Sequence, residues 1–472
     1  MSQPLTALDE AEYLFWSRRI FGHVALADPR LVRRAVGVAA LLAARPADSI
    51  PQACGTWGNT KATYRFLENK RVTVEALRDS TTKAAVAACR GLTTVYAVQD
   101  TTSFNFSALR HTLGLGPIGE RGTGHRGASG PACGIHLHST LALSTGGLPL
   151  GLLDLNFWTR SMKPPTKRKK RKHRPIEEKE TYRWLTSARA AHKALAALES
   201  RPRLFHVCDR EGDIHEFFAE IKTLGDDAVI RCAQNRAVAE ECGLAHASVH
   251  AQPMLTATTV EVRRTQKYPA RTAHVEVRAL RVTLTGSSSY RSHKPLALTL
   301  VEVWEPAPPT EDQRLIWRLW TTQSVTTPAE ALEVIRIYTL RWRIEEVHLV
   351  AKSGCEVEEL QLGTCTGLCK ALTLYMSVAV RIVTLKDLVR QTPEAPCTVA
   401  FSTLEWQALW AHKHRRLCLI DAPIPTLRQA VAWLAQLGGH LGRKSDGPPG
   451  VRSLWRGWRD LQLLVAGYRF HG

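Results

Sequence analysis

The fold of this chain changes character at Thr93–Asp100, which reads Thr-Thr-Val-Tyr-Ala-Val-Gln-Asp. β-branched and apolar residues fill this run, a composition that favours a buried strand, and the strand leads into a carboxylate. Upstream, Leu8–Val24 and Leu31–Ala44 carry apolar residues at three- and four-residue spacing, which predicts helices. We therefore expect a helical domain over residues 1–90, followed by β-structure.

The order of elements after Thr93 is typical of an α/β core with a mixed sheet. Strands are predicted over Gly134–Leu143, Leu148–Phe157, Leu204–Cys208, Ala228–Cys232 and Trp317–Thr322, with helices over Glu177–Leu198 and Ile214–Leu224. Residues 233–310 hold β-branched runs and are expected to form an all-β insertion, whereas residues 366–472 have a helical pattern. These changes predict five segments, namely 1–90, 91–232, 233–310, 311–365 and 366–472.

A long helix is predicted to begin at Thr327, because Thr327–Glu330 combines a capping box with a proline in the first turn. The helix is expected to run to Ser353, with Gly354 at its end. It would carry four functional side chains at spacings of 3, 7 and 14 from the first, namely Tyr338, Arg341, Glu345 and Lys352. At about 100° per residue, these four positions share one face within an arc of roughly 60°.

The charge of the chain favours a polyanionic partner. Its 472 residues include 63 Lys and Arg against 43 Asp and Glu, which gives a formal net charge of +20 and a sequence pI near 9.7. We expect no membrane partner, because we find no run approaching the roughly 18 apolar residues of a membrane span. Residues 1–10 lack the pattern of a signal peptide, so we expect a cytoplasmic protein that binds nucleic acid.

Two stretches are candidate DNA contacts. A basic run lies between prolines and is expected to form a loop that touches phosphates, although a merely solvated loop is the alternative. The residues of this run assigned to DNA are Lys167, Arg168, Lys169, Lys170, Arg171 and Lys172. Residues 60–70 mix aromatic and basic side chains, among them Lys61 and Arg65. On the local sequence alone, an ordinary amphipathic helix is the favoured explanation of that pattern.

Three carboxylates fit phosphodiester chemistry. Asp100 and Asp209 each follow a predicted buried strand, and Glu345 lies within the long predicted helix. Two Mg²⁺ ions, with Mn²⁺ as a substitute, would need such oxygen ligands to activate water and to neutralise a phosphate. Singly, an aspartate after a strand often only caps a turn. Neighbouring acids compete for the same roles, namely Glu211, Asp213 and Glu346.

The 11 cysteines are scattered along the chain, and most lie in apolar runs, which favours reduced thiols over a disulfide framework. Cys365 and Cys369, with Cys355 nearby, leave a zinc site as a minor alternative, because their spacing does not fit a common zinc motif.

These residues resemble a known family, the bacterial insertion-sequence transposases with an Asp-Asp-Glu core, in the subgroup that cuts DNA through a hairpin. The signature of that subgroup is Tyr, Arg, Glu and Lys at the spacing found at Tyr338, Arg341, Glu345 and Lys352. Further segments are similar to those around the family's two aspartates, its end-binding domain and its oligomerisation region. They are Gln99–Ser103, Val207–His215, Tyr64–Phe66, Leu437–Gly439 and Trp455–Trp458.

The resemblance implies an RNase H-like mixed sheet core with an inserted β region, flanked by helical N-terminal and C-terminal domains. It also implies a homodimeric synaptic complex on double-stranded DNA, with transposon ends and target as substrates. By residue match, Tyr338, Arg341 and Lys352 would hold a strand phosphate, and Trp317 would stack a flipped base. Arg210, directly after the second aspartate, is a further expected DNA contact. Leu349 stands where the best-known relative has a basic residue, which puts DNA contacts along that part of the helix in doubt.

The predicted function is therefore a DNA transposase that nicks transposon ends, forms and opens a hairpin, and joins the 3′ ends to target DNA. A stand-alone RNase H-like nuclease would cut without joining, and a non-catalytic DNA-binding relative would do neither. The complete set of three acids argues against the non-catalytic alternative.

Overall fold

The structure is a computed structural model in which the chain forms two compact units. It describes residues 7–109, 111–119, 132–162, 174–239, 243–262, 264, 267–284, 295–418, 422–443 and 446–468. The first unit comprises Met1–Arg90, Thr101–Pro164 and Arg343–Gly472, and the second comprises Gly91–Asp100 and Pro165–Trp342. This division differs from the five segments predicted from the sequence, whose boundaries stay predictions.

The helices of the first unit come from both ends of the chain. The N-terminal ones are α1 (Ala7–Phe21), α2 (Pro29–Ala44), α3 (Ile50–Cys54), α4 (Trp57–Glu68) and α5 (Val74–Ala88). Threonine side chains begin two of them, because Thr56 accepts a hydrogen bond from the Asn59 amide and Thr73 accepts one from the Ala76 amide. The predicted N-terminal helices are thus confirmed.

The remaining helices lie in chain order through the second unit and back into the first. They are α6 (Tyr182–Leu195), α7 (His215–Leu224), α8 (Ala245–His250), α9 (Pro328–Thr339), α10 (Trp342–Leu349), α11 (Cys365–Gln391), α12 (Thr403–His414), α13 (Leu427–Leu437) and α14 (Val451–Tyr468). Capping boxes at Thr327, Ser402 and Thr426 begin α9, α12 and α13. The C-terminal residues are helical, as their pattern predicted.

Helix α11 is the centre of the first unit. Among the described residues it alone is long and apolar enough to cross a membrane, a feature that inspection of apolar runs missed. Of its most hydropathic window, 89% is buried inside the protein, as expected for the central helix of a packed domain.

The two ends of the chain meet beside α11. The Arg381 guanidinium lies 4.5 Å from the ring centroid of Tyr13 in α1 and 5.6 Å from that of Trp458 in α14. The buried Glu405 of α12 accepts hydrogen bonds from the Tyr13 hydroxyl and from the Gln462 amide. The N-terminal and C-terminal helices therefore form one packed body and not two separate domains.

Ten strands are described. They are β1 (Thr94–Asn105), β2 (Gly116–Pro117), β3 (Cys133–Leu143), β4 (Pro149–Trp158), β5 (Arg203–Cys208), β6 (Asp227–Arg231), β7 (Thr256–Val262), β8 (Arg271–Leu284), β9 (Leu296–Trp304) and β10 (Ile316–Thr321). In the second unit the order is β1–β5–β6–β10–β9–β8–β7. The β1–β5 and β5–β6 pairs are parallel, and the others in this row are antiparallel. The mixed sheet predicted from the sequence is thus present.

The first unit holds the hairpin of β3 and β4, the short β2 and the end of β1, because β1 passes from the second unit into the first after Asp100. There β1 lies beside β3. The Thr101 hydroxyl and a ring nitrogen of His138 are 2.9 Å apart, and Ser103 and His136 form a similar pair at 2.8 Å. Strand β1 is therefore longer than predicted, and Asp100 lies within it and not at its end.

Two predictions about elements are wrong in part. Residues 233–310 are not all-β, because their described part includes α8, and their strands extend the main sheet through the β9–β10 pair. The helix predicted from Thr327 to Ser353 is not continuous. It ends at Thr339, resumes at Trp342 and changes to a π-helix over Val350–Gly354, where the Cys355 amide donates to the Val350 carbonyl. The shared face calculated for a straight helix therefore does not apply.

Candidate active site and DNA interface

Asp100 lies on β1 of the second unit, and Asp209 directly follows β5, the strand that runs parallel to β1. Strands β1 and β5 pair so that Gln99 lies opposite Cys208, and the two aspartates are the next residues along their chains. Adjacent strands are about 4.8 Å apart, so the register brings the two carboxyl groups to the same part of the sheet.

The pKa of the buried Cys208 thiol depends on the charged groups around this position. Burial raises its pKa well above the usual value, the nearby carboxylates of Asp209 and Asp100 raise it further, and the Arg341 guanidinium opposes them. Two anions and one cation of the second unit therefore surround Cys208. Carboxylate oxygens beside a guanidinium suit both a hard divalent cation and a phosphate.

The acids that follow Asp209 have structural contacts. The Asp213 carboxylate is buried and accepts hydrogen bonds from the Ala233 and Gln234 amides, at 2.8 and 3.0 Å, and from the Arg236 guanidinium. Glu211 forms an ion pair with Arg183 at 2.5 Å. Asp209 accepts a hydrogen bond from the Glu211 amide at 2.9 Å and so begins a short 3-10 turn. The contacts of Asp213 and Glu211 favour a structural role for these two acids.

A similar difference separates Glu345 from Glu346 in α10. Glu346 belongs to an ion-pair network of the first unit, because its carboxylate contacts Lys386 and lies 3.5 Å from Arg343. Arg343 also pairs with Asp387 at 2.9 Å. Glu346 is thus tied to α11, which favours Glu345 as the acid with a functional role.

Helix α10 is anchored to β3 by His348. The Nε2 atom of this buried ring lies 2.7 Å from the Ser139 hydroxyl. Burial lowers the pKa of His348 to about 3, and the nearby Lys352 ammonium lowers it as well. The ring is therefore neutral at physiological pH. Lys352 lies in the π-helix that follows α10, and its ammonium is 5.6 Å from the ring centroid of Phe104.

Trp317 and Tyr338 form an aromatic pair in the second unit, with ring centroids 5.5 Å apart. The Arg231 guanidinium lies 5.8 Å from each ring, and Arg341 lies 5.9 Å from that of Tyr338. Burial lowers the pKa of Arg231. Trp317 is half-buried whereas Trp320 is fully buried, as expected for residues on opposite faces of a strand. Arg231 was not predicted from the sequence, although a cation at the end of a buried strand was a visible signal.

One other expected DNA contact, Arg210, is described, as is Leu349, the position at which the chain departs from the family. Arg210 is exposed in the turn after Asp209, and the half-buried Leu349 ends α10. The basic run from Lys167 to Lys172 lies outside the described residues.

Helix α4 presents an exposed face of mixed aromatic and basic character. Lys61 and Arg65 are both exposed and lie four residues apart, while Thr60, Thr63 and Phe66 face the interior. Trp57, four residues before Lys61, is 77% exposed. An exposed tryptophan in line with two cations is unusual for a merely solvated face, and it was not singled out from the sequence.

The described part of the chain contains no group of three or more His, Cys, Asp and Glu side chains placed to hold a metal ion. The cysteines considered for zinc, Cys355, Cys365 and Cys369, are free thiols there, like the other described cysteines. The oxygen ligands expected for Mg²⁺ thus stay a proposal.

Two parts of the chain match known protein families. Residues 15–72 match the family described as Transposase DNA-binding, and residues 377–472 match the Transposase Tn5 dimerisation domain. Both matches support a Tn5-type DNA transposase. Helix α4 lies within the first match, and α12, α13 and α14 lie within the second. The matched domains support DNA and a second copy of the chain as its partners.

Proposed function

We propose that this chain is a cut-and-paste transposase, which binds duplex DNA at transposon ends, excises the element and joins its 3′ ends to target DNA. The observation that carries the proposal is the parallel pairing of β1, which contains Asp100, with β5, which Asp209 directly follows, in a chain with two segments that match transposase domains. The exposed Lys61 and Arg65 of α4 would contact the end DNA.

The acids proposed to hold two Mg²⁺ ions are Asp100, Asp209 and Glu345, with Mn²⁺ as a substitute. Hard carboxylate oxygens fit these ions, and the neighbouring acids Asp213 and Glu346 are already engaged in ion pairs. When bound, the ions would activate the attacking oxygen and neutralise the charge that develops at phosphorus.

The proposed reaction is a series of in-line displacements at phosphorus. The oxygen of water bonds to the phosphorus at the transposon end, and the 3′-oxygen leaves and takes up a proton. The oxygen of the freed 3′-hydroxyl then bonds to a phosphorus of the opposite strand and makes a hairpin, while the 3′-oxygen of the flanking DNA leaves and is protonated. The oxygen of a second water bonds to the hairpin phosphorus, and the transposon 3′-oxygen leaves as a hydroxyl again. This hydroxyl oxygen finally bonds to a phosphorus of target DNA, where the target 3′-oxygen leaves. Arg341 and Lys352 would neutralise a strand phosphate, and Tyr338 would donate a hydrogen bond to it.

Trp317 is proposed to stack a base that the tight hairpin forces out of the helix. An aromatic platform stabilises such a base by about 1–3 kcal/mol. The half-buried ring beside Tyr338 and Arg231 supports this assignment, because a cation close to the platform would also neutralise the bent strand. Arg210 and the basic run at Lys167–Lys172 are proposed as further phosphate contacts.

The core is proposed to be RNase H-like, supported by the parallel β1–β5–β6 row and the antiparallel β3–β4 hairpin. We further propose that two chains pair two DNA ends, each core cutting the end bound by its partner, and that the reaction takes place in the cytoplasm.

The test compares Asp209→Asn and Glu345→Gln with Glu346→Gln on a plasmid that carries the element's ends. Wild type should cleave the ends and join them to a second plasmid when Mg²⁺ is present. Asp209→Asn and Glu345→Gln should each reduce cleavage at least a hundred-fold while end binding stays within a few-fold of wild type. Glu346→Gln should keep substantial activity, since its carboxylate binds Lys386 and not the reacting groups.

Three results would count against the proposal. Cleavage without any joined product would identify a stand-alone nuclease. Binding with neither cleavage nor joining in wild type would identify a non-catalytic relative. Loss of activity in Glu346→Gln with normal cleavage by Glu345→Gln would assign the third acid to the neighbouring residue.

A further inference from the structure

Five consecutive basic residues, His412–Arg416, end helix α12 within the dimerisation match. All five are exposed. We refer to them as the basic turn. The proposed reaction uses none of them.

The backbone of the basic turn is unusual at Arg415. This residue caps α12 in the left-handed conformation, with φ at 53° and ψ at 36°. Glycine is the common residue at such a position, because a side chain there costs about 1–2 kcal/mol. A cationic side chain that occupies a glycine position despite this cost indicates a role beyond ending the helix.

Aromatic rings hold the basic turn against α13. The His414 ring lies between two tryptophans, with its centroid 4.4 Å from that of Trp410 and 5.8 Å from that of Trp433. The Arg416 guanidinium lies 5.1 Å from the Trp410 ring centroid, and the Lys413 ammonium donates to the Gln436 side chain at 3.1 Å. These contacts order the cations in advance, so less entropy is lost when they bind a ligand.

The positive charge of the basic turn is not neutralised locally. In the part of the chain that the structure describes, no carboxylate forms an ion pair with Lys413, Arg415 or Arg416. Cations in the last turn of a helix also complement its dipole. The helix dipole accounts for the basic residues His412 to His414 in the last turn. It does not explain Arg415 at the cap or Arg416 beyond the cap.

We propose that the basic turn binds the phosphate backbone of target duplex DNA, a second DNA contact that rests on the proposed transposase function. Ordered cations suit a ligand that is recognised through the charge of its phosphates. Duplex DNA fits better than a single strand, because His414 and Arg416 already cover the Trp410 ring on which an unpaired base would stack. In the proposed reaction, target DNA is the substrate that is bound without regard to its sequence. The transposon ends are instead assigned to the DNA-binding domain matched at residues 15–72.

The test uses the full chain and the double variant Lys413→Gln/Arg416→Gln. The matched control is Lys83→Gln/Lys193→Gln, which removes the same charge at two exposed lysines far from the turn in sequence. Binding to a duplex without transposon ends is measured by fluorescence anisotropy over a range of salt concentrations. The slope of log K against log salt should become shallower by roughly 0.9 per lost contact, or about 1.8 in all. The control should keep the wild-type slope, and the double variant should lose joining to target more than nicking of ends.

A third variant, Arg415→Gly, separates binding from stability. Removing a side chain from the left-handed cap should raise the melting temperature while it weakens binding to the same duplex. The proposal would be overturned if Arg415→Gly bound the duplex with wild-type affinity, or if the double variant kept the wild-type salt slope. It would also be overturned if the control lost as much duplex binding as the double variant, or if the double variant lost only its binding to single-stranded DNA. The proposed function fails separately, if wild type binds both DNAs but neither cuts nor joins them.

Discussion

At the scale of single residues, the acids near Asp209 differ in what their oxygens contact. Asp213 is fully enclosed by two backbone amides and Arg236, all donors. Its substitution should therefore affect folding, whereas substitution of Asp209 should affect chemistry. Neighbouring acids in one short motif thus have separate roles.

We predict that Asp213→Asn destabilises the protein by about 3 kcal/mol, because it leaves Arg236 without its buried counter-charge and weakens two amide hydrogen bonds. Chemical unfolding, followed by circular dichroism, measures this directly. Asp209→Asn is the control and should unfold within about 0.5 kcal/mol of wild type. Equal stability of the two variants would contradict the assignment.

His348 predicts a pH dependence of stability. Its pKa is lowered by burial, and also by Lys352, from 6.5 to about 3. Below pH 6.5, His348 is therefore protonated in the unfolded chain but stays neutral in the folded chain. The folded state loses stability as the pH falls from 6.5 towards 3. The loss from this one group is about 1.4 kcal/mol per pH unit. Above pH 6.5 the group contributes no further dependence.

His348→Gln keeps an amide that can bond to the Ser139 hydroxyl but does not titrate. The stability difference between wild type and this variant, measured in EDTA between pH 4 and 7.5, should therefore change with pH in favour of wild type as the pH rises to 6.5. A difference that is constant across this range would show that His348 is readily protonated in the folded state.

At the scale of elements, α13 and α14 cross at a pair of glycines. A Cβ added at Gly457 would lie 1.9 Å from the Leu434 carbonyl oxygen, and one at Gly438 would lie 1.9 Å from that of Ser453. Neither distance is tolerable for real atoms. The two helices therefore approach through their backbones, which explains why a glycine is needed in the middle of α14 despite its low helix propensity.

Gly457→Ala should lower the free energy of unfolding by about 1–3 kcal/mol or more, the usual effect of overpacking a core. Gly467→Ala is the matched control, because this glycine lies in the same helix and an added Cβ meets nothing within 4 Å. The control should be neutral or more stable by up to about 1 kcal/mol. Thermal unfolding compares them, and a Gly457→Ala protein as stable as the control would contradict the close crossing.

At the scale of the whole molecule, dimerisation is best tested without truncation. Removing the chain after Arg415 would also remove Trp458 and Gln462, which contact Arg381 and Glu405 in the packed first unit. Such a truncation would therefore disturb the N-terminal helices that the DNA-binding match includes. A point substitution on the exposed surface avoids this difficulty.

Leu463 of α14 is 72% exposed within the dimerisation match. Leu463→Asp should prevent the pairing of two DNA ends and leave the binding of one end intact, because an exposed apolar side chain on this helix suits a protein interface. Light scattering of the protein with end DNA measures the stoichiometry. Met254→Asp, at an apolar residue of the second unit that is 53% exposed, is the control. Paired complexes of normal mass in Leu463→Asp would place the dimer contact elsewhere.

Local sequence patterns predicted most of the helices and strands, and the positions of Asp100 and Asp209 after apolar runs. These features follow from local periodicity and capping, which depend on residues close together in the chain. The same information left Glu211, Asp213 and Glu346 as competitors of the chosen acids. Nothing in the local pattern shows which acid is engaged by a cation from a distant part of the chain.

Tertiary structure alone decided those cases. Arg236 and Lys386 engage Asp213 and Glu346 from distant parts of the sequence, at 23 and 40 residues of separation. The break of the long helix after Thr339 and its π-turn at Val350–Gly354 likewise depend on long-range packing, because the local residues favour one continuous helix. The packing of α1 with α12 and α14 likewise depends on long-range contacts. Periodicity shows that a face is apolar, but the partner that covers the face is chosen by packing across the whole chain.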